Sequence, residues 1–180
     1  CHRGCLTRRR RLQRRLMDRD RFTLMPLTRS QAAEVLSFRY APPLDFYNPP
    51  PAYPGAIENL IDPKWQFHGV EYDRQLVGYA SFGADGQLPG GDYTAPALDI
   101  GLGLHPDRVG QGYGGAFVSA IMDFAINTFA PQALRLTVAV FNQRALRLYQ
   151  DLGFEGTTRF FHHQTEYLVM MKPITPHQAR

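Results

Sequence analysis

Several stretches of the chain alternate between apolar and polar positions, the pattern of a half-buried β-strand. Residues 98–104 give the clearest case, and residues 134–140 repeat the pattern. Five shorter runs predict further strands, at residues 21–27, 65–72, 76–82, 157–162 and 166–172. The second and third of these runs form a predicted hairpin, because the turn-forming residues 73–75 separate them.

Apolar residues at three- and four-residue spacing predict helices between these strands. The longest helix follows the turn at residues 105–115 and carries Phe117, Ile121 and Phe124 on one face. A helix over residues 31–40 is expected after a cap at Thr28 or Ser30. Its expected inward face consists of Ala32, Ala33, Leu36 and Tyr40. A short helix is expected at 56–61, and a last one from Asn142 to a C-terminal cap at Gly153.

Prolines dominate residues 41–54 and exclude a helix or a central strand there, because they remove backbone donors and fix the backbone. The segment is either a stiff connector or a functional loop. Long ordered loops in compact domains are more often functional. This one carries Phe46, Tyr47 and Tyr53, so a wall of a substrate site is the expected function.

Glycine occurs repeatedly in the turn between the 98–104 strand and the long helix, at Gly110, Gly112, Gly114 and Gly115. Such a turn points backbone N–H groups at one spot, and the following helix start adds its own amides and dipole, so an anion site is predicted. A nucleotide P-loop requires Gly-Lys-Ser/Thr at the helix start. A dinucleotide fingerprint fits the glycines but lacks the acid that should end the next strand. A purely structural turn is a further alternative.

The turn resembles the pyrophosphate loop of the GNAT superfamily of acyl-CoA-dependent N-acetyltransferases, whose pattern is Arg/Gln-x-x-Gly-x-Gly/Ala. Gly112 and Gly114 fill the two glycine positions, whereas Val109 replaces the usual Arg or Gln and Arg108 lies one residue early. Residues 142–154 resemble the family's Asn-x-x-Ala-x-x-x-Tyr-x-x-x-Gly-Phe segment. The two segments occur in the expected order, and the resemblance covers roughly residues 65–172.

The resemblance implies one α+β (α/β) domain over residues 17–180, with a central mixed, mostly antiparallel sheet of six to seven strands and about four flanking helices, the acyl-CoA N-acyltransferase fold. It implies acetyl-CoA as the acyl donor and an acetyl transfer to a primary amine by direct attack in a ternary complex. A non-catalytic acyl-CoA-binding or regulatory module is the alternative. The implied cofactor-binding residues are Leu102, Leu104, Val109, Gly110, Gln111, Gly112, Tyr113, Gly114, Gly115, Asn142 and Tyr149.

Acyl transfer to an amine needs a base for the amine, donors for the oxyanion and a proton for the thiolate. By resemblance Tyr149 is the general acid, although Leu146, Tyr149 and Leu152 share a helical face that also fits a core aromatic. Asp99 and Glu71 are the acids on strands and the candidate bases. Gly101 and Gly103 fit either a bulge that exposes main-chain donors or a relief of packing against a neighbour.

The net charge of +4 is concentrated in residues 1–16, which hold seven arginines and no acid, so the remainder carries −3. This stretch is expected to be a disordered leader, read as a nucleic-acid-binding arm, a targeting segment or sequence upstream of a start at Met17. Both cysteines lie in it, so residues 17–180 offer no disulfide or thiolate nucleophile and a cytoplasmic setting is expected.

No metal site is predicted, because His162 and His163 should point to opposite faces of a strand. No membrane span is expected, and no nucleic-acid partner is favoured for residues 17–180. The acceptor is expected to be a small-molecule amine or a peptide N-terminus, with Asp45, Glu58 or Asp62 available to attract an ammonium. A homodimer is left open.

Overall fold

Seven strands and four helices lie wholly within residues 19–175, which are the residues that the computed structural model describes. The strands are β1 (Phe22–Pro26), β2 (His68–Tyr72), β3 (Gln75–Phe82), β4 (Leu98–Leu104), β5 (Ala133–Ala139), β6 (Glu155–His162) and β7 (Thr165–Pro173). The helices are α1 (Arg29–Leu36), α2 (Ala56–Ile61), α3 (Gly114–Phe129) and α4 (Gln143–Asp151). Every predicted strand and helix is therefore found, with shifts at their ends.

The strands form one sheet in the order β1-β2-β3-β4-β5-β7-β6. All neighbouring strands are antiparallel except β4 and β5, which run parallel. The predicted mixed, mostly antiparallel sheet of six to seven strands is confirmed, and it has seven.

Helix α3 packs against the sheet and supplies much of the core. Its buried side chains include Phe117 and Ile121, and these meet Val70, Val77 and Leu134 of the strands. The three- and four-residue spacing that predicts the helix is thus also the spacing of its buried face.

Helix α1 is shorter than predicted. It begins at the expected Thr28, whose side chain accepts from the amide of Gln31 in a capping box, but it ends at Leu36 rather than near residue 40. Its buried residues are Ala32 and Val35, whereas Ala33 is exposed. Tyr40, predicted as the last inward residue of the helix, lies beyond the helix and is half-buried.

The hairpin between β2 and β3 turns at Asp73 and Arg74, both of which have positive φ values, 51° and 65°. Strand β2 starts three residues later than predicted. A 3-10 turn at Pro63–Trp65 and a left-handed Gln66 precede it, and they use residues that the apolar pattern had assigned to the strand.

Gly101 and Gly103 lie in a regular part of β4, which pairs with β3 without a register shift. A Cβ at Gly101 would overlap the hydroxyl of Ser81, and one at Gly103 would overlap the ring of Tyr79. The expected bulge is therefore wrong, and the alternative of close packing against a neighbouring strand explains both glycines.

Within residues 19–175 no helix is long and apolar enough to cross a membrane. The predicted leader, residues 1–16, lies outside the described residues.

Candidate functional site

Strands β4 and β5 separate shortly after they begin, which opens a wedge in the sheet. They pair only at Leu98 with Leu134 and at Asp99 with Arg135, although both strands continue for several residues. A cavity of about 490 Å³ occupies the gap, with residues 100–104 on one side and residues 136–138 on the other. We call this cavity the wedge.

The main chain of β4 presents hydrogen-bonding groups to the wedge. The carbonyl of Asp99 accepts from the Gly83 amide and the His105 amide donates to Val77, so both of these residues face β3. Because successive peptide groups of a strand point to opposite edges, Leu102 and Leu104 face the wedge instead. The hydroxyl of Tyr40 donates to the Leu104 carbonyl at 2.8 Å.

The glycine turn continues directly from this edge. A 3-10 turn at Pro106–Arg108 is capped by His105, whose Nδ1 accepts from the amide of Asp107 at 3.1 Å. Gly110 and Gly112 then have positive φ values, 85° and 84°, which explains the need for glycine at both positions.

Helix α3 starts without a side-chain cap at Tyr113. Among the described residues, no backbone carbonyl or side chain accepts from the amides of residues 114–116. Free amides at the start of a long helix bind anions, because the helix dipole adds to their partial positive charge. The turn and the helix start thus have the backbone geometry on which the anion-site prediction rests.

Two arginines lie near this turn, and they differ in what they contact. Arg108 packs over the ring of Tyr113 and donates to Gln75 at 3.2 Å, so its side chain is engaged on the β3 side. The guanidinium of Arg144 lies beside Gly110, 3.8 Å from the position that a Cβ there would take. Val109, which departs from the family pattern, lines the wedge. Sequence reasoning missed Arg144, although it lies within the Asn142 motif.

The start of α4 joins the wedge to the proline-rich loop. Asn142 caps the helix, since its Oδ1 accepts from the Ala145 amide at 3.2 Å, and its Nδ2 donates to the Tyr47 hydroxyl at 3.3 Å. Both Asn142 and Tyr47 line the wedge. The Asn142 carboxamide therefore caps the start of α4 and also holds Tyr47 of the proline-rich loop.

Tyr149 on α4 is both a core residue and a wedge residue. It is buried in the main hydrophobic cluster and stacks edge-on with Phe154, and it also lines the wedge. Among the described residues its hydroxyl has no hydrogen-bond partner. Burial raises the pKa of the Tyr149 hydroxyl, and the neighbouring Tyr47 adds to the effect. The phenol therefore keeps its proton at neutral and mildly alkaline pH.

The two predicted bases lie away from the wedge. The carboxylate of Asp99 is 3% exposed, and it accepts from Arg135 at 2.6 and 2.7 Å and from Gln87 at 2.8 Å. Glu71 accepts from Gln31 at 2.8 Å beside α1. Neither lines a described cavity, so the geometry gives a base role for Asp99 or Glu71 no support.

Asp85 is the carboxylate that lines the wedge. It lies in a 3-10 turn at Ala84–Gly86, directly after β3, and its Oδ2 accepts from the buried Ser81 hydroxyl at 2.7 Å. The Asp85 side chain is also close to the main chain of Gly101. No motif singles this residue out, and its only signal in the sequence is its place between two glycines at the end of a strand.

A second cavity of about 450 Å³ adjoins the wedge and shares Tyr47, Tyr79 and Asp85 with it. The proline-rich loop contributes Tyr53 to this cavity and Phe46 to the wedge. The structure thus places the three predicted loop aromatics at the two cavities. We call the second cavity the side pocket.

The acids expected to attract an ammonium do not line the side pocket. Glu58 pairs with Arg29 on the surface, and Asp62 caps the 3-10 turn that contains Lys64. Asp45 lies on the exposed side of the turn at Leu44–Tyr47.

The histidine pair differs from its prediction. His162 ends β6, whereas His163 lies in the following turn with a φ of 52°, and their rings are 4.3 Å apart. Among residues 19–175 no group of three or more His, Cys, Asp or Glu side chains is arranged to hold a metal ion.

Comparisons with known proteins identify the family and the fold. The sequence model of the acetyltransferase (GNAT) family matches residues 33–154, more than half of the chain. No curated protein matches the chain by sequence.

Two solved structures share the fold. Spermidine N-acetyltransferase from Vibrio cholerae, in complex with CoA and spermine, has a TM-score of 0.68 at 17% identity over 86% of this chain and 96% of its own. AAC(6')-Ib, in complex with ribostamycin and coenzyme A, has a TM-score of 0.69 at 17% identity over 84% of this chain and 93% of its own.

Proposed function

Since the chain belongs to the GNAT family of acetyltransferases, we propose that a primary amine attacks acetyl-CoA directly in the wedge, in a ternary complex. The family assigns the activity, an acetyl-CoA-dependent N-acetyl transfer. The observation that carries the proposed site is the opening between β4 and β5 beside an uncapped helix start. An extended thioester arm fits the opening, and its diphosphate fits the amides at the start of α3.

The cofactor site follows from three features of the wedge. The pyrophosphate lies on the turn of Gly110 and Gly112, where the amides of the α3 start converge. Arg144 supplies a positive charge beside Gly110, which offsets the loss of a polar side chain at Val109. The pantetheine arm pairs with the main chain of Leu102, in the way an added strand would.

Tyr149 is the proposed general acid. Tyr149 lines the wedge. Its hydroxyl has no hydrogen-bond partner among the described residues and holds its proton because burial raises its pKa. When the C–N bond forms and the C–S bond breaks, the thiolate takes a proton from this phenol. The nitrogen that attacked loses its extra proton as it becomes the amide, and that proton returns to the phenol directly or through water.

Asp85 replaces Asp99 and Glu71 as the proposed base. Its carboxylate is exposed to solvent, lies close to the β4 main chain at Gly101 and borders both cavities. An ammonium that enters the side pocket meets this carboxylate before it reaches the thioester. Loss of one proton to Asp85, directly or through water, leaves the neutral amine that attacks.

The enzyme and the non-catalytic module differ in turnover. We expect amine-dependent release of the CoA thiol from acetyl-CoA, measured with a thiol reagent over a panel of primary amines. A module would bind acetyl-CoA and raise the melting temperature without releasing thiol for any amine. That result would overturn the proposed activity while leaving the cofactor site intact.

The cofactor site is tested by Gly112→Asp. Acetyl-CoA at about a hundredfold excess over its Kd should stabilise the parent by about 2.7 kcal/mol, a rise of roughly 5–10 °C in Tm for a chain of this size. Gly112→Asp should abolish the rise, because a carboxylate would lie where the pyrophosphate binds.

Gly55→Asp is the matched control for this variant. Gly55 has a φ of 88° and open space around it, like Gly112 at 84°, but it lies at the start of α2. Both variants carry similar backbone strain, so both should lower the Tm of the free protein. A full acetyl-CoA shift in Gly112→Asp would show that the pyrophosphate binds elsewhere.

Three finer expectations belong to the same proposal. A peptide N-terminus as the acceptor is tested by acetylation of a short peptide in the same assay.

A homodimer is supported by β6, an exposed edge strand that carries Phe161 at 68% exposure, and is tested by sedimentation. The cytoplasmic setting stays a prediction that rests on the position of the cysteines in the sequence.

A further inference from the structure

The side pocket has a chemical character that narrows the acceptor. We propose that the acceptor is a small amine with one positive charge and an aromatic or bulky apolar body, rather than a polyamine or another polycation. This inference rests on the proposed function, because it assigns the side pocket to the amine that attacks in the wedge.

The first argument is charge. Asp85 is the one charged side chain among the residues that line the side pocket or the wedge, within the described part of the chain. The two asparagines of the side pocket are already engaged. Asn59 donates to the Tyr53 hydroxyl at 3.0 Å, and Asn48 accepts from the Tyr40 amide at 2.7 Å. A single ammonium can therefore find a charged partner here.

A second ammonium would lack a partner. Moving a charge out of water without a counter-charge is costly, so a polycation would leave its other ammonium groups in solvent or not enter. An adjoining surface hollow, which shares Tyr53 with the side pocket, carries Arg29 and Arg39 beside Glu58. Arg29 already pairs with Glu58 at 2.7 Å. A polycation in the side pocket therefore meets one carboxylate, Asp85, among the residues that line the two cavities.

The second argument is the wall. The side pocket is lined by aromatic rings from the proline-rich loop, the 3-10 turn before β2 and the sheet. The aromatic side chains are Tyr47, Tyr53, Trp65, Phe67 and Tyr79. Rings prefer offset or edge-to-face contacts with other rings. The pocket volume of about 450 Å³ lies within the range of roughly 300–1,000 Å³ that holds small ligands.

The positions of Asp85 and of the aromatic wall relative to the wedge set the orientation of the acceptor. Asp85, Tyr47 and Tyr79 lie at the junction with the wedge, whereas Tyr53 and Trp65 line the side pocket alone. The amine end therefore points toward Asp85 and the thioester, and the ring lies among the outer aromatics. The ligands of the two structural neighbours, spermine and ribostamycin, are polycations and lack this combination.

The experiment compares three amines with the full chain and acetyl-CoA. 2-Phenylethylamine supplies one charge and a ring, butylamine supplies one charge without a ring, and spermidine supplies several charges without a ring. We expect kcat/KM for 2-phenylethylamine to exceed both others by roughly tenfold or more, since burial of a ring contributes at least that much. A value for spermidine or butylamine equal to or above it overturns the inference.

Two variants test whether the side pocket causes the preference for 2-phenylethylamine over butylamine. Tyr53→Ala removes a half-exposed ring of the pocket wall and should lower the ratio of 2-phenylethylamine to butylamine by roughly fivefold or more. Met25→Ala, which removes an exposed apolar side chain outside both cavities, should leave the ratio unchanged. An unchanged ratio in Tyr53→Ala would overturn the assignment of the side pocket.

Asp85→Asn tests the charge. It should lower kcat/KM for 2-phenylethylamine by roughly 10²-fold while acetyl-CoA still raises the melting temperature. Parent-like turnover in Asp85→Asn would overturn the assignment of the ammonium to this carboxylate.

If spermidine alone is acetylated, the proposed substrate class is wrong, and the proposed acetyltransferase activity is retained. If no amine releases thiol, the activity itself fails and the substrate class fails with it.

Discussion

Tyr149 and Asp85 have opposite proposed tasks in proton transfer, and their surroundings differ accordingly. Tyr149 is buried among core side chains, and burial raises the pKa of its hydroxyl, which suits a group that must arrive protonated. Asp85 is exposed at the junction of the two cavities, which suits a group that must exchange its proton with solvent.

Tyr149→Phe separates the chemical role from the packing role. The change keeps the ring and removes a hydroxyl that has no protein partner among the described residues, so the free energy of unfolding should change by about 1 kcal/mol or less. Turnover should fall by roughly 10²-fold if the phenol protonates the thiolate. Steady-state kinetics and the acetyl-CoA thermal shift measure both effects.

Tyr93→Phe is the control for this change. The Tyr93 hydroxyl lies 2.9 Å from the Thr137 hydroxyl and accepts from the Leu88 amide at 3.0 Å, and Tyr93 does not line the wedge. Its removal should lower stability more than Tyr149→Phe does and leave kcat within about twofold. Unaltered kcat in Tyr149→Phe, where chemistry limits the rate, would leave Tyr149 as a core aromatic only.

Single residues were predictable where a spaced motif specifies them, and not where a contact brings them together. The motif from Asn142 to Phe154 led to Tyr149, and the structure places that residue in the wedge. The sequence makes Asp99 a candidate base because it is an acid on a predicted central strand. Its partner Arg135 lies 36 residues further along the chain, and no local sequence pattern predicts that ion pair.

At the scale of elements, the Asp99–Arg135 pair marks the point where β4 and β5 separate. The two residues are cross-strand neighbours in the two-residue parallel ladder, and both are buried. Arg135 also donates to the Ala95 carbonyl at 2.8 Å and lies over the Tyr93 ring. The pairing with Asp99 raises the pKa of Arg135. The ion pair therefore holds the strands together at the closed end of the wedge.

Arg135→Met should destabilise the fold strongly, because it leaves the Asp99 carboxylate buried without its counter-charge. Breaking a buried pair from one side typically costs about 3–5 kcal/mol. The double variant Asp99→Asn with Arg135→Met removes both charges and should recover at least half of that loss. Urea unfolding of the three proteins measures the difference. A double variant as unstable as the single one would show that hydrogen bonds, rather than charge, hold β4 and β5 together at the closed end of the wedge.

Element positions were predicted better than element ends. Periodicity located α3 and the central strands, because their buried faces repeat over many residues. The end of α1 was placed about four residues too late, since the apolar residues Phe38 and Tyr40 continue the pattern beyond Leu36. Phe38 is buried, but in a second cluster with Leu27 and Val35. Tertiary packing, not helical periodicity, decides its position.

At the scale of the whole molecule, the periodicity of apolar residues predicts neither the order of the strands nor the wedge. The family resemblance implied a mixed sheet and a cofactor loop, and the seven-stranded order with one parallel pair agrees with it. The side pocket depends on three segments that are distant in sequence, namely the proline-rich loop, the turn before β2 and Asp85. Only the folded chain brings these segments together.

The tyrosines around the wedge give the whole fold a dependence on alkaline pH. Burial raises the pKa of Tyr79 to about 12, with the nearby Asp85 as a second cause, and burial also raises the pKa values of Tyr40 and Tyr149. In the unfolded chain a tyrosine ionises near pH 10. Above that pH the unfolded state loses protons that the folded state keeps, so stability falls as pH rises.

We therefore expect the free energy of unfolding to lose its tyrosine contribution from about pH 10 upward. For Tyr79 alone, the gap between about 10 and about 12 corresponds to a loss of roughly 2 kcal/mol by pH 12. Tyr79→Phe removes this ionisation and should make the decline between pH 10 and 12 shallower by about 1.4 kcal/mol per pH unit. Urea titrations across this range measure the slope. Identical slopes in parent and variant would mean that Tyr79 ionises as easily in the folded wall of the wedge as in the unfolded chain.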